Sequence, residues 1–328
     1  MRRLLGVELT RLRWRRAVLT LAAVCVVAPL VILAVVAWNT RPYSDAEKAE
    51  IARQLAADTE RAQVDVQACI DDPEAQGIPE SEDVEQTCED WYLPQPQWYG
   101  YRQPLDLVDE RQNGSGTAVV AIVTMALVLA GTTFAGHDWN TGSMSNQLLF
   151  EPRRGRVWVA KGLAVALAAG LIAGAVLAAY WTGLWGVVSL RDLDAEGLRS
   201  GYLQAFRGAL LAAGAALGAY ALTMLFRSTV ATLGVLFGIT VLAPILMALV
   251  AFPNNERWMP TTNIAAVIQD GTTYYDESGY SCTLDEDGNE VCTGEHELTL
   301  AGGSGYLLGL LGLSAVPSVL TFRRRDVP

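Results

Sequence analysis

The sequence predicts an all-α polytopic membrane protein. Six transmembrane helices, cytoplasmic N- and C-termini and small disulfide-containing extracellular elements are expected. Three observations predict this fold class. Of 328 residues, 51% are hydrophobic and only 18% are charged, against about 25% charged in a soluble domain. The apolar residues are bunched into runs of about 18–25, the length that crosses a hydrocarbon core of about 30 Å. Arginine-dense clusters (Arg2 to Arg16, Arg153 to Lys161, Arg323 to Arg325) lie at one end of these runs, and the acidic stretches 39–115 and 252–300 lie at the other. Most of the surplus acid behind the net charge of −11 sits in those two stretches. The basic footprint that nucleic-acid binding needs is missing, so a nucleic-acid partner is not expected.

Residues 1–16 carry six arginines and precede the first span, 17–38. That span is longer than the apolar core of a cleaved signal, typically about 7–15 residues, and is read as a signal anchor. Residues 39–115 then form the larger outer domain. Within it SDAEKAEIARQLAADTERAQVDVQACI reads as a helix, with Ser44 as cap and Glu47 completing a capping box. The aromatics Trp91, Tyr92, Trp98, Tyr99 and Tyr101 either close a small core over that helix or sit at the membrane interface. The first of these is favoured.

The second span is 117–137, followed by an inner loop, 138–156, and the third span, 157–183. Residues 184–207 are an outer loop whose Arg191, Arg199 and Arg207 dissent from the charge rule. The fourth and fifth spans, 208–226 and 229–251, are separated only by Arg227 and Ser228 and form a helical hairpin. Residues 252–302 follow, comprising a segment (NNERWMPTTNIAAVIQDG) too short to span, read as re-entrant or interfacial, and a hairpin turning at Asp287-Gly288. The sixth span is 303–322 and the tail 323–328. With six spans, the basic N-terminus, second-to-third loop, Arg227 turn and C-terminus all fall on the cytoplasmic side by the positive-inside rule. A multi-pass plasma-membrane protein is expected.

Cys69 and Cys88 share one outer region, and Cys282 and Cys292 share the other. Cys25 lies within the first span; two cysteines in each outer region and none in an inner loop suit disulfides in an oxidising compartment. Pairing within each region is favoured, although four cysteines allow three connectivities. With only two histidines and no CxxC, a metal site is not expected. Pro29, Pro244 and Pro317 are candidate kinks. Gly170-x-x-x-Gly174 and Gly214-x-x-x-Gly218 are read as close packing within the chain.

The inner loop, HDWNTGSMSNQLLFEPRRGRVWVAK, is the stretch that points to a mechanism. It reads as a short amphipathic helix capped by Asn140 or Thr141, with Met144, Leu148 and Leu149 on one side and Pro152 as its stop. This stretch resembles the coupling region of the permease subunits of type-2 ABC exporters. The matching positions are Asp138, Thr141-Gly142, the short helix Ser145 to Phe150 with Asn146 in it, Pro152-Arg153-Arg154 and Lys161. MRRLLGVELTRLRWRR resembles that family's amphipathic N-terminal helix, in which a glutamate, here Glu8, precedes basic residues, here Arg11 and Arg13. The resemblance implies a permease without its own ATP site, coupled through residues 138–156 to a separate ABC ATPase that binds ATP and Mg. It also implies a second permease copy or a related permease.

The P-loop string G-x-x-x-x-G-K-[ST] does not occur, so no ATP hydrolysis by this chain is expected. The spans are read as lacking the buried acid, histidine or lysine of a proton relay, with Lys161 snorkelling to the interface. An ATP-driven exporter of an amphiphilic or lipid-like substrate is therefore the leading expectation, and the chain itself is not an enzyme. The alternative is a membrane sensor or scaffold with a ligand-binding outer domain.

Overall fold

Long runs of Ala, Leu, Val and Gly, free of charge and rarely broken, form the body of the molecule. The computed structural model describes residues 1–73, 76, 83–99, 102–250, 255–275, 281–284 and 290–325; at 97, 243, 247, 248, 250, 281–284 and 290–293 it describes the backbone only. In chain order the helices are α1 (Arg2–Arg13), α2 (Arg16–Asn39), α3 (Asp45–Asp71), α4 (Val84–Tyr92), α5 (Leu107–Gln112), α6 (Ser115–Asn140), α7 (Ser143–Phe150), α8 (Arg154–Leu190), α9 (Leu198–Phe226), α10 (Thr229–Val250), α11 (Pro260–Gln269) and α12 (Leu300–Arg324). Four short strands, β1 (Thr272–Tyr275), β2 (Ser281–Leu284), β3 (Glu290–Thr293) and β4 (Glu295–Leu298), precede α12. Among the described residues six helical stretches are long and apolar enough to cross a membrane: Arg16–Asn39, Leu107–Asn140, Arg154–Leu190, Leu198–Phe226, Thr229–Leu246 and Leu300–Arg324. The chain thus has the helices of an all-α, multi-pass membrane protein.

Two compact units make up the chain: Met1–Ala34 with Asp106–Pro328, and Val35–Leu105. In the larger unit α9 is the central helix, packed on α6, α8 and α12. Small residues set how close these helices lie. A methyl at Gly131 on α6 would stand 2.7 Å from the Ala216 carbonyl of α9. A methyl at Gly201 on α9 would stand 2.4 Å from the ring of Trp181, which is fully buried on α8. Around this centre α2 and α10 expose valine, leucine and isoleucine on most sides, as a helix bathed in apolar solvent does. Of the glycine pairs, Gly170 and Gly174 face Ala213 and Ala209 of α9, which is packing within the chain as expected; Gly218 faces Leu311 and Ser314 of α12.

The smaller unit is built on α3. Ser44 caps it and Glu47 returns the bond, so the capping box is formed. A disulfide joins Cys69 to Cys88 with the Cα atoms 5.9 Å apart. Val66, Ile70, Val84, Tyr92 and Leu93 pack around it. Glu47 also accepts bonds from Arg102 at 2.8 Å and Arg41 at 3.2 Å. The aromatics divide. Tyr92 joins the small core and Tyr99 donates to Asp58 at 2.6 Å, whereas Trp91 and Trp98 are exposed. Tyr101 lies outside the described residues.

Several expectations are corrected. Helix α8 runs to Leu190, not 183, because Leu184 and Val188 continue its buried side. The 184–207 loop shrinks to residues 191–197. Arg199 and Arg207 therefore belong to α9, and Arg207 pairs with Asp270 at 2.8 Å. Helix α7 is capped by neither Asn140 nor Thr141. Gly142 takes the N-cap position at φ 66°, and Thr141 instead donates its hydroxyl to the His137 carbonyl, closing α6. Leu149 faces away from Met144, which is buried. The prolines Pro29, Pro244 and Pro317 all lie inside continuous helices.

The expected hairpin is present as β2 and β3, with Cys282 opposite Cys292 in register. The Cys282 and Cys292 side chains and the Asp287-Gly288 turn lie outside what is described. An unexpected second ladder, β1 with β4, brackets the hairpin in sequence and packs Tyr274 and Leu298 on Ala266 of α11.

Candidate functional site

Glu8, Arg11, Leu12 and Arg15 recur at helical spacing and so share one face of the N-terminal segment. That face is turned inward: Glu8 and Leu12 are buried. Helix α6 continues three residues past the apolar run and carries Asp138 with it. Helix α8 opens at Arg154, which places Lys161 about two turns inside its start. The side chains of Glu8, Asp138 and Lys161 meet with no solvent exposure at all.

Lys161 sits at the centre. Its ammonium donates to Glu8 Oε2 at 2.9 Å and to Asp138 Oδ2 at 2.5 Å. Arg11 donates to Asp138 Oδ1 at 3.2 Å, to Gln147 Oε1 at 3.2 Å and to Ser143 Oγ at 2.5 Å. Gln147 Nε2 donates to Glu8 Oε1 at 2.6 Å, and Ser143 Oγ donates to Asp138 Oδ1 at 3.1 Å. Arg15 donates to Asp138 and to the Phe134 carbonyl, the latter at 2.6 Å. Phe134 is buried beneath, with the Arg15 guanidinium 4.6 Å and the Lys161 ammonium 5.3 Å from its ring centre, an arrangement in which the ring face attracts the cations.

Burying an ion costs several kcal/mol unless its partners are complete. Here Asp138 takes bonds from four side chains and Glu8 from Lys161 and Gln147, with Arg11 3.5 Å away. The network joins α1, α6, α7 and α8, which are separated by up to 153 residues in sequence.

The expectation of no buried acid or lysine in the spans is thus overturned, as is a snorkelling Lys161. The reason is mutual pairing: two carboxylates next to the ammonium make burial favourable where a lone charge would reach for water. Of the residues singled out by sequence, Glu8, Arg11, Asp138 and Lys161 come together. Arg13 is exposed, over the Trp14 ring. Thr141, Gly142, Asn146, Pro152 and Arg153 lie on the exposed side of the α6–α8 junction. Arg154 donates to the Arg325 carbonyl, tying the start of α8 to the end of α12. Leu149 and Phe150 end α7 at 80% and 90% exposure.

Sequence reasoning missed Arg15, Ser143 and Gln147 as members of the network. The period joining Glu8 to Arg15 carried a signal for the first; Ser143 and Gln147, four apart on α7, had only a shared helix face.

The other basic segments adjoin the same end. Arg227, in the α9–α10 turn, lies 4.9 Å over the Trp139 ring of α6, and Trp139 meets Phe322 of α12 edge-on at 6.1 Å. Among the described residues no group of three or more His, Cys, Asp or Glu side chains could hold a metal ion. Comparison with known proteins finds no matching family model, no matching curated protein and no matching solved structure.

Proposed function

We propose that this chain is the transmembrane permease subunit of an ATP-driven ABC exporter. It would move an amphiphilic or lipid-like substrate outward across the plasma membrane, with both termini cytoplasmic. ATP and Mg would be bound by a separate ATPase subunit, and a second copy or a related permease would complete the pathway. The observation that carries the reading is the end of α7. Two adjacent large apolar side chains, Leu149 and Phe150, stand in the open on a helix whose inner side is bonded through Ser143 and Gln147 to the charge cluster. An exposed apolar pair is a docking feature, and the bonded inner side makes it a lever on α1, α6 and α8.

The contacts among the four basic segments support placing them on one side of the membrane, the side that the positive-inside rule makes cytoplasmic. The test is co-purification with the cognate ATPase. Phe150→Asp leaves the cluster untouched and is expected to cut ATPase recovery at least about tenfold, a change of about 1.4 kcal/mol in affinity. Equal recovery with ATPase activity still coupled would sink the reading.

The sensor or scaffold reading has one observation in its favour: Val35–Leu105 is a compact, disulfide-closed unit of its own. Deleting residues 45–104 separates the two. Retained coupling to the ATPase favours the permease, and its loss together with loss of ligand response favours the sensor.

A further inference from the structure

Helix α1 ends at Arg13 and α2 begins at Arg16, with Trp14 and Arg15 at the junction. Beside that junction, between the end of α6 and the first turn of α10, is an open groove of about 530 Å³. Trp14, Arg15, Arg16, His137, Asn140 and Thr229 line it.

Its charge is one-sided. The cluster behind it sets three cations, Arg11, Arg15 and Lys161, against two carboxylates, Glu8 and Asp138, so one positive charge is left over. Arg15 is at once a member of the cluster and part of the groove wall. Arg16 adds a second positive charge. It is exposed, and its side chain forms no bond with another described residue. No carboxylate is among the described residues that line the groove. Asn140 and His137, both exposed, add polar groups to the wall. The surplus charge is set against low-dielectric protein, where its field is poorly screened.

One side of the groove is apolar. Ala17 and Val18 belong to its wall. Next to them in sequence Leu19 is 51% exposed, and next to Thr229 on α10 Val230 is 81% exposed. Trp14, 73% exposed, has the side chain favoured at a membrane surface. A small free anion has no use for this apolar flank, whereas a headgroup joined to acyl chains uses both parts.

We propose that this groove binds the phosphate headgroup of an anionic membrane lipid, with Arg16 and Asn140 holding the phosphate and the exposed flanks of α2 and α10 taking the chains. The site is independent of the exporter reading.

Native mass spectrometry of the full-length protein tests it. The protein is released from vesicles containing phosphatidylglycerol and phosphatidylcholine with identical acyl chains. The wild type is expected to retain the anionic lipid over the zwitterionic one by about tenfold, equivalent to about 1.4 kcal/mol. Arg16→Gln should lower that preference several-fold, and Asn140→Leu should lower it further. Arg3→Gln, an exposed arginine elsewhere on the N-terminal segment, should leave it unchanged. Equal retention of the two lipids overturns the proposal. An equal loss in Arg3→Gln and Arg16→Gln overturns it in favour of diffuse surface charge. Displacement of the lipid by an equal concentration of inorganic phosphate overturns it in favour of a free-anion site.

Discussion

Lys161 is the residue on which the buried cluster turns. Replacing it with Met keeps the volume but removes the ammonium that faces both Glu8 and Asp138. Breaking a buried pair from one side costs about 3–5 kcal/mol, because the remaining charge is stranded. Lys161→Met should therefore lower the thermal midpoint in detergent markedly, and adding Glu8→Gln should restore part of the loss. An unchanged midpoint would show the cluster to be hydrated and weak. Glu47 is the corresponding residue of the smaller unit. The Arg102 hydrogen bond, followed by bonds from the Ser44 backbone and hydroxyl, holds its carboxyl down at about 2, against an ordinary 4.5. A lowered carboxyl pKa contributes stability above the unfolded value and loses it as pH falls through the folded one. Relative to the intrinsic exchange rate at each pH, protection along α3 should thus fall between pH 4.5 and 2 in the wild type. In Glu47→Gln the contribution is already absent, and that added pH sensitivity should disappear.

At the scale of elements, the disulfide and the caps decide what stays together. Cys69 and Cys88 close a loop with a sequence separation of 19. A cross-link of that span limits the unfolded chain by about 3 kcal/mol in the loop-entropy account. Cys88→Ser should accordingly release α4 from α3 and speed proteolysis within Val35–Leu105, while cleavage in the larger unit stays as it was. Unchanged proteolysis would mean that the core around Val66 and Tyr92 suffices. Helix α7 depends on a different device. Gly142 adopts φ 66° and has open space where a methyl would stand, so Gly142→Ala adds only the left-handed strain, about 1–2 kcal/mol. If the chain is the proposed permease, weaker ATPase coupling with an unaltered global midpoint is the expected outcome. A fall in the midpoint equal to that of Lys161→Met would instead make the α6–α7 turn part of the core.

Across the whole molecule, close approach of helices is the main organising force. Trp181 fits against α9 only because position 201 has no side chain. Gly201→Val forces the ring or the helix aside, and overpacking of this kind costs about 1–3 kcal/mol. Its thermal midpoint should fall while expression in the membrane persists; a midpoint equal to wild type would show that α9 has room to shift. The contacts of Arg11 with Asp138, Arg154 with the Arg325 carbonyl, and Arg227 with Trp139 gather the four basic segments at one end of the larger unit. Elsewhere in that unit Arg207 of α9 pairs with Asp270, and its place inside the helix was missed because α9 begins earlier than the apolar pattern implied.

Hydrophobic run length was enough to read six helices long and apolar enough to span, because it is local and the bilayer tolerates few alternatives. The Ser44 capping box and the facing cysteines of β2 and β3 were equally legible, being set by residues within a few positions of each other. The charge cluster was not. Glu8, Asp138 and Lys161 each looked like interfacial charges, since nothing local says that they meet. Whether Lys161 is buried depends on partners 23 and 153 residues away, and only the packing of α1, α6, α7 and α8 supplies them.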